Sequence, residues 1–377
     1  MIPLNTNLMR LERSPIRRFT NLARQTPGCI LLTIGEPDFA TPEPIKAAAR
    51  AALDAGLTHY APNQGTPELR QAVAAFETRR GMACTPEQVL VTAGATGALF
   101  TALTGILNPG DEVIVPVPAF NLYETVITIA GGRAVRLDTA PLGYQLTPEA
   151  VEQAITPKTK AILLNSPNNP TGVVLNRMSL EAVKQAVLGR GIYILCDNVY
   201  DRLTEADKPD LSLDPALGEQ LLLCQSFSKP YAMTGWRVGY LVGPPGVVER
   251  LVLLNAAEIA SVPTFLQAAC AAALDVDISA MAQTYARRRA YTCQRLNRMG
   301  LAYPMPQGAF YVFPDISRFG LSSEEFCTRM IREAGVAAVP GACFGGEGHI
   351  RLSFACGDDA LEAGLDRLAA FLAELSR

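Results

Sequence analysis

The run VLVTAGATGALFTALTGILNPGDEVIVPVP, residues 89–118, sets the architecture. VLVT (89–92) reads as a short β-strand. The small-residue turn after it leads into a helix-like segment, ALFTALTGIL. Asn108-Pro109-Gly110-Asp111 is a strong turn signal, and EVIVPVP (112–118) is a second strand beyond it. Residues 88–110 carry no charge, yet Ala-Gly-Ala-Thr-Gly and Asn-Pro-Gly break them into short elements, so a membrane span is not expected.

Outward from that run the pattern repeats. AILLN (161–165), IYILCD (192–197), LLLCQS (221–226) and VGYLVG (238–243) are further candidate strands. Their near-continuous hydrophobicity suits strands covered by helices on both faces, which predicts a mainly parallel sheet in an α/β fold. Amphipathic segments such as SLEAVKQAVL (179–188) lie between them. After about residue 275 the texture changes. An Arg-rich helix at 285–300 leads into AFYVFPDI, SSEEFCTRMIREAG, HIRLSFAC and a last amphipathic helix, DDALEAGLDRLAAFLAEL. The expected organisation is an N-terminal arm and start of a small domain (1–39), a large domain (40–275) and a smaller α+β domain (276–377).

Length and composition agree with this. At roughly 150 residues per domain, 377 residues make two or three domains. Hydrophobic residues at 49% and charged residues at 18% supply a sizeable core. A formal charge of −3 argues against a nucleic-acid partner, which requires a basic footprint. His59 and His349 are the only histidines, too little for a His-rich metal site. The nine cysteines are odd in number and form no CxxC pair, and several sit in apolar runs, as Cys196 and Cys224 do. They read as reduced thiols of a cytoplasmic protein. The first residues, MIPLNTNLMRLERSPIRR, lack the continuous apolar core of a secretory signal.

Five segments carry candidate chemistry. The chain has six lysines, and Lys46, Lys158, Lys160, Lys184 and Lys208 have polar neighbours and read as solvated. Lys229, in SFSKPYAMTGWRVGY (226–240), has small, hydroxylated and aromatic neighbours. It is either an exposed loop lysine or a partly desolvated amine with a lowered pKa. Asp197 closes IYILCD, where α/β folds place ligands, though taken alone it reads first as a helix N-cap. The turn TAGATGAL (92–99) offers free backbone N–H groups and the positive end of a helix dipole, suited to a phosphate, though small residues also serve tight packing. It contains neither GxGxxG nor a Gly-Lys P-loop. NSPNNPTG (165–172) can aim the Asn169 amide into a crevice or be an ordinary turn. Arg351, in HIRLSF, is a snorkelling surface residue or a carboxylate clamp.

In this order GEPDFATP (35–42), HYAPNQGTPELR, VTAGATGALF, NSPNNPTG, DNVY, SFSKPYAMTGWRVGY and GHIRLSF resemble the class I/II aminotransferases of the fold type I pyridoxal 5′-phosphate (PLP) enzymes. The resemblance covers most of the chain and thins in the N-terminal arm and last helix. It implies that Lys229 forms the Schiff base with PLP, that Asp197 pairs with the pyridine nitrogen, and that Tyr200 and Asn169 bond the ring's phenolic oxygen. It implies further that Phe120 stacks on the ring, and that Ala95, Thr96, Ser226 and Arg237 form the phosphate cup. Tyr60 matches a phosphate ligand donated by the other subunit of a homodimer. Gly35, Asn169 and Arg351 match the substrate carboxylate site, with Phe120 beside it.

The activity implied is amino transfer between an L-amino acid and a 2-oxo acid, with ping-pong kinetics. Some relatives that take dicarboxylates carry a lysine where this chain has Thr96, and others use an arginine from the partner subunit. No Lys or Arg occurs between Arg250 and Arg287, so the matching stretch, roughly 255–265, supplies no cation. A neutral or hydrophobic donor is therefore expected rather than aspartate. Two rivals share the resemblance: a C–S β-lyase or aminocyclopropane-carboxylate-synthase-like lyase, and a ligand-binding regulatory domain. The second would carry a DNA-binding module, for which too little chain precedes GEPDF at residue 35.

Overall fold

A computed structural model describes residues 2, 4–11, 15–204 and 208–375. The tip of the polar loop EADKPD, Glu205 to Asp207, lies outside the described residues. A seven-stranded sheet forms the centre, in the order Val89–Thr92, Gly239–Val242, Leu221–Ser226, Tyr193–Asp197, Thr159–Asn165, Glu112–Val117, Arg133–Asp138. Every strand expected from an apolar run is present. Their side chains are buried almost throughout, because helices cover both faces.

The sheet is mainly parallel, as read from the sequence, with two features that the apolar runs do not mark. Gly239–Val242 runs antiparallel to both of its neighbours, Val89–Thr92 and Leu221–Ser226, so the sheet is mixed. Arg133–Asp138 is an additional parallel edge strand beside Glu112–Val117. Its sequence, RAVRLD, has only half-buried or exposed side chains, so it lacks the apolar run that marks the other six.

The helix Gly94–Ile106 follows the first strand directly and packs on the sheet through Ala98, Leu99, Ala102 and Leu103. Toward the C-terminus, Ile350–Ser353 pairs antiparallel with Val339–Pro340 and with Tyr311–Val312. The N-terminal strand Ile30–Leu31 pairs parallel with Val336–Ala337, which ties the start of the chain to this region. The helix Pro15–Arg24 lies beside it, anchored by buried Phe19 and Ala23. Among the described residues no helix is long and apolar enough to cross a membrane. All nine cysteines are free. The expectation that five lysines are solvated fails at Lys208, whose side chain is 10% exposed and pairs with Asp210 at 3.1 Å.

Candidate active site

The parallel strands end in polar residues on one side of the sheet: Asn165, Asp197 and Ser226 are the last residues of three adjacent strands. They open into a cavity of about 580 Å³. Gly35, Ala95, Thr96, Phe120, Asn169, Asp197, Tyr200, Ser226, Lys229, Arg237 and Arg351 all line it. Of the residues singled out in the sequence, Tyr60 alone is absent from the lining; it is 90% exposed on the surface.

Asp197 is buried and held from three sides. The Tyr123 hydroxyl donates to Oδ2 at 2.6 Å, and the Val199 N–H approaches Oδ1 at 3.4 Å. Asn165 Nδ2 donates to the backbone carbonyl of Asp197 at 2.9 Å. The chain after Asp197 forms turns, not a helix, so the N-cap alternative falls away. Burial pushes the carboxyl up to about 6, opposed by the Tyr123 and Val199 hydrogen bonds and by the nearby Lys229 charge.

Lys229 follows the strand Leu221–Ser226 by a short turn, and its Nζ donates to the Gly35 carbonyl at 2.5 Å. Burial lowers its pKa to about 8. Glu36 works against that shift, whereas Arg351 and Arg237 add to it. An amine so placed exists in part as the neutral nucleophile near neutral pH.

Arg351, also in the cavity lining, is 3% exposed. Its guanidinium donates to Asn169 Oδ1 and to the Thr33 carbonyl, each at 2.9 Å. It lies 4.4 Å from the Tyr311 ring centroid. Its Nε and the Thr33 hydroxyl are buried and have no partner among the described residues. Unpaired buried donors are costly, so a ligand that reaches them gains more than a surface contact would give. Asn169 is itself positioned by its N–H, which donates to Asn165 Oδ1 at 2.8 Å. The Tyr200 and Tyr311 hydroxyls share a 3.0 Å hydrogen bond.

An anion cradle completes the cavity. The helix Gly94–Ile106 starts after Ala93 with no side-chain cap, which leaves its first N–H groups free. Arg237 adopts a left-handed backbone (φ 56°). A Cβ on Gly94 would sit 2.8 Å from its guanidinium. A Cβ on Gly239 would lie 2.6 Å from the Gly94 carbonyl carbon and 2.8 Å from the Ala95 nitrogen, so glycine is required there.

These residues fit PLP on three counts. The uncapped helix start with Arg237, Ser226 and Thr96 suits a phosphate dianion. The buried carboxylate suits a cationic ring nitrogen. The desolvated lysine suits an aldehyde. Several contributors did not stand out in the sequence. Tyr123 lies three residues after Phe120 in the same PAFNLY segment, and Asn165 is the first residue of NSPNNPTG. Tyr311, Thr33, Thr20, Arg24 and Glu36 come from elements distant in the chain.

Fold and site together define a PLP-dependent transferase. Residues 27–368 match the family model described as Aminotransferase class I and II, and the chain belongs to that family. It is 40% identical to the Probable N-acetyl-LL-diaminopimelate aminotransferase of Bacillus subtilis, over 98% of this chain and 95% of that protein. Aromatic-amino-acid aminotransferase 2 of Thermococcus litoralis is also 40% identical, covering 98% of each chain. The solved structure of aspartate aminotransferase from Thermus thermophilus with maleate superposes with a TM-score of 0.93 at 37% identity, covering 98% of this chain and all of that one. The protein is thus a PLP-dependent aminotransferase that moves an amino group between an amino acid and a 2-oxo acid. The lyase alternative is not favoured, since each of these relatives is named an aminotransferase.

Proposed function

We propose that the amino donor is a neutral or hydrophobic L-amino acid and that Lys229 is both the covalent anchor of PLP and the base. The cofactor, when bound, supplies the electron sink that stabilises negative charge at the substrate Cα. Lys229, with a pKa brought near neutrality, takes the Cα proton and returns one on the cofactor side. Asp197 would pair with the ring nitrogen and keep it protonated. Tyr200 and Asn169 bond the phenolic oxygen, and Phe120 covers the ring. Ala95, Thr96, Ser226 and Arg237 take the phosphate. Arg351 receives the substrate carboxylate, with Asn169 and the Gly35 backbone beside it. The observation that carries the reading is the meeting of Lys229, Asp197 and Arg351 in the lining of one cavity.

Support for a neutral donor lies in the apolar lining by Ile34, Leu99, Phe120 and Leu122, and in Thr96 occupying a position that is lysine in some dicarboxylate-handling members. The relatives' names range over aromatic amino acids, aspartate, prephenate and N-acetyl-diaminopimelate, so they do not choose among donors. Screening all amino acids for conversion of bound PLP to pyridoxamine phosphate tests the reading. Alanine, methionine or phenylalanine should react faster than aspartate; aspartate reacting fastest refutes it.

The same reading makes the protein a homodimer in which Tyr60 reaches the partner's phosphate site. Its 90% exposure, with Leu53 and Leu57 also exposed nearby in sequence, supports that placement. It also divides the chain into a large PLP-binding unit, 40–275, and a small unit of 276–377 with the arm 1–39. The pairing of Ile30–Leu31 with Val336–Ala337 supports the latter grouping. A monomeric mass in solution for the fully active enzyme would remove the dimer from this account.

A further inference from the structure

Three residues at the site have polar neighbours, one position away in the chain, that do not line the cavity. Asp201 follows Tyr200, Gln225 precedes Ser226 and Tyr240 follows Gly239. Successive side chains of a strand point to opposite faces, so Gln225 lies behind the face on which Ser226 lines the cavity. Gln225 and Tyr240 are direct cross-strand partners, as Ser226 and Gly239 are.

The helix Pro67–Arg79 and the residue after it close this rear cluster into a ring. The Tyr240 hydroxyl donates to Glu77 at 2.5 Å, and Arg80 pairs with Glu77 at 3.2 Å and with Asp201. Gln225 Nε2 in turn donates to Asp201 Oδ2 at 2.8 Å. The neighbouring cation, Arg202, faces Tyr231 and the Phe76 ring instead. Glu77, Asp201, Gln225 and Tyr240 are all buried. A buried ion pair gains little net stability over apolar packing of the same volume, so what the ring adds is a fixed geometry. The residue it fixes is Tyr200. The turn after Asp197 is tied to the strand Leu221–Ser226 at two points: the Asn198 N–H donates to the Cys224 carbonyl at 3.1 Å, and Asp201 takes the Gln225 amide. Tyr200, which lines the cavity, lies between them.

We infer that Asp201 is a positioning residue for the cofactor: bridged to Gln225 and anchored by Arg80, it holds the Tyr200 hydroxyl in place for the phenolic oxygen of PLP. The inference rests on the role proposed above for Tyr200 and deepens it. A hydroxyl that donates to that oxygen favours its anionic state, and so lowers the pH at which the visible absorption of the bound cofactor changes. A displaced Tyr200 raises that midpoint. Loss of the Asp201 charge acting through space would do the opposite, because a nearby carboxylate favours the protonated form. The charges that act on Lys229, those of Glu36, Arg351, Arg237 and Asp197, stay the same in every variant below.

The test is a double-mutant cycle on the holoenzyme, with wild type, Asp201→Ala, Tyr200→Phe and the two combined, read as the pH midpoint of the visible absorption band. A hydrogen bond to a charged group shifts a midpoint by about 1–2 pH units, so Tyr200→Phe should raise it by that much. Asp201→Ala should raise it by about half a unit or more and add nothing in the Tyr200→Phe background. Gln225→Met cuts the same bridge without a change of charge and takes the place of Asp201→Ala if that variant does not fold. It should move the midpoint in the same direction and likewise add nothing to Tyr200→Phe. A midpoint unchanged or lowered by Asp201→Ala, while Tyr200→Phe raises it, overturns the role of Asp201 alone. Shifts that add in the combined variant overturn it too, since Asp201 would then act by another route. No shift in Tyr200→Phe itself means that the role given to Tyr200 has failed, and that of Asp201 falls with it.

Discussion

The Tyr123 hydroxyl donates to Asp197 Oδ2 at 2.6 Å in a buried setting, and so opposes the desolvation that raises this carboxyl to about 6. A phenol here keeps more of Asp197 ionised at neutral pH, which is the state a protonated ring nitrogen requires. Tyr123→Phe removes the bond and leaves the ring packing. A hydrogen bond to a charged group contributes about 1.5–3 kcal/mol, so PLP affinity at pH 6.5 should fall at least about tenfold. The deficit should shrink at pH 8.5, where Asp197 ionises regardless. Fluorescence titration of PLP at both pH values reads this directly, and equal deficits at the two would refute the role given to Tyr123.

Lys229 offers a sharper test. On the proposed reading Lys229→Ala removes both the covalent anchor and the general base, so it should lower turnover at least about 10³-fold. The cup of Arg237, Ser226 and the helix start remains, so PLP should still bind noncovalently and give the absorption of the free aldehyde form. Retention of substantial activity would place the base elsewhere.

What could be read from residue order, and what could not, follows from the range of each interaction. Asp197 ends an apolar strand and Lys229 and Asn169 follow the ends of two others within a few residues, and their local segments mark them. The bond from Tyr123 to Asp197 spans 74 positions, and no local pattern announces it. VGYLVG reads as a buried strand whichever way it runs, so the antiparallel direction of Gly239–Val242 is fixed only by its two neighbours. RAVRLD has no apolar run to mark it as a strand, because an edge strand need not be apolar. Arg24 is one arginine among many on an N-terminal helix, and only the fold brings it to the cavity lining.

Gly239 links the antiparallel strand to the start of the helix Gly94–Ile106, the proposed phosphate cup. A methyl group there would stand 2.5 Å from the Gln225 carbonyl oxygen as well as against Gly94 and Ala95, all of them backbone. Backbone cannot step aside as a flexible side chain can, so the start of the helix Gly94–Ile106 must shift. Gly239→Ala should cost about 1–3 kcal/mol of stability and weaken PLP retention together. Thermal unfolding with and without PLP separates the two effects. A normal gain in melting temperature on adding PLP would show that the cup is undisturbed.

Glu77 supplies the pH prediction, and it lies outside the cavity. Its carboxyl is 1% exposed, accepts from the Tyr240 hydroxyl at 2.5 Å and pairs with Arg80 at 3.2 Å, while Arg80 is shared with Asp201. Burial outweighs these partners and the neighbouring carboxylates of Asp201 and Asp210 add to it, so the folded pKa rises to about 7. In the unfolded chain the group titrates near the ordinary value of about 4.3. The folded state therefore binds the proton more tightly, and the stability this provides is complete below the unfolded pKa. It is lost progressively as pH rises to about 7 and changes no further above that. Glu77→Gln keeps an acceptor for Tyr240 and cannot ionise, so its stability should be flatter than that of wild type between pH 4.5 and 7. The difference between the two proteins in urea unfolding at pH 5, 6, 7 and 8 cancels every other titrating group. Parallel curves would mean that Glu77 stays ionised in the folded protein, held by Arg80 despite its burial.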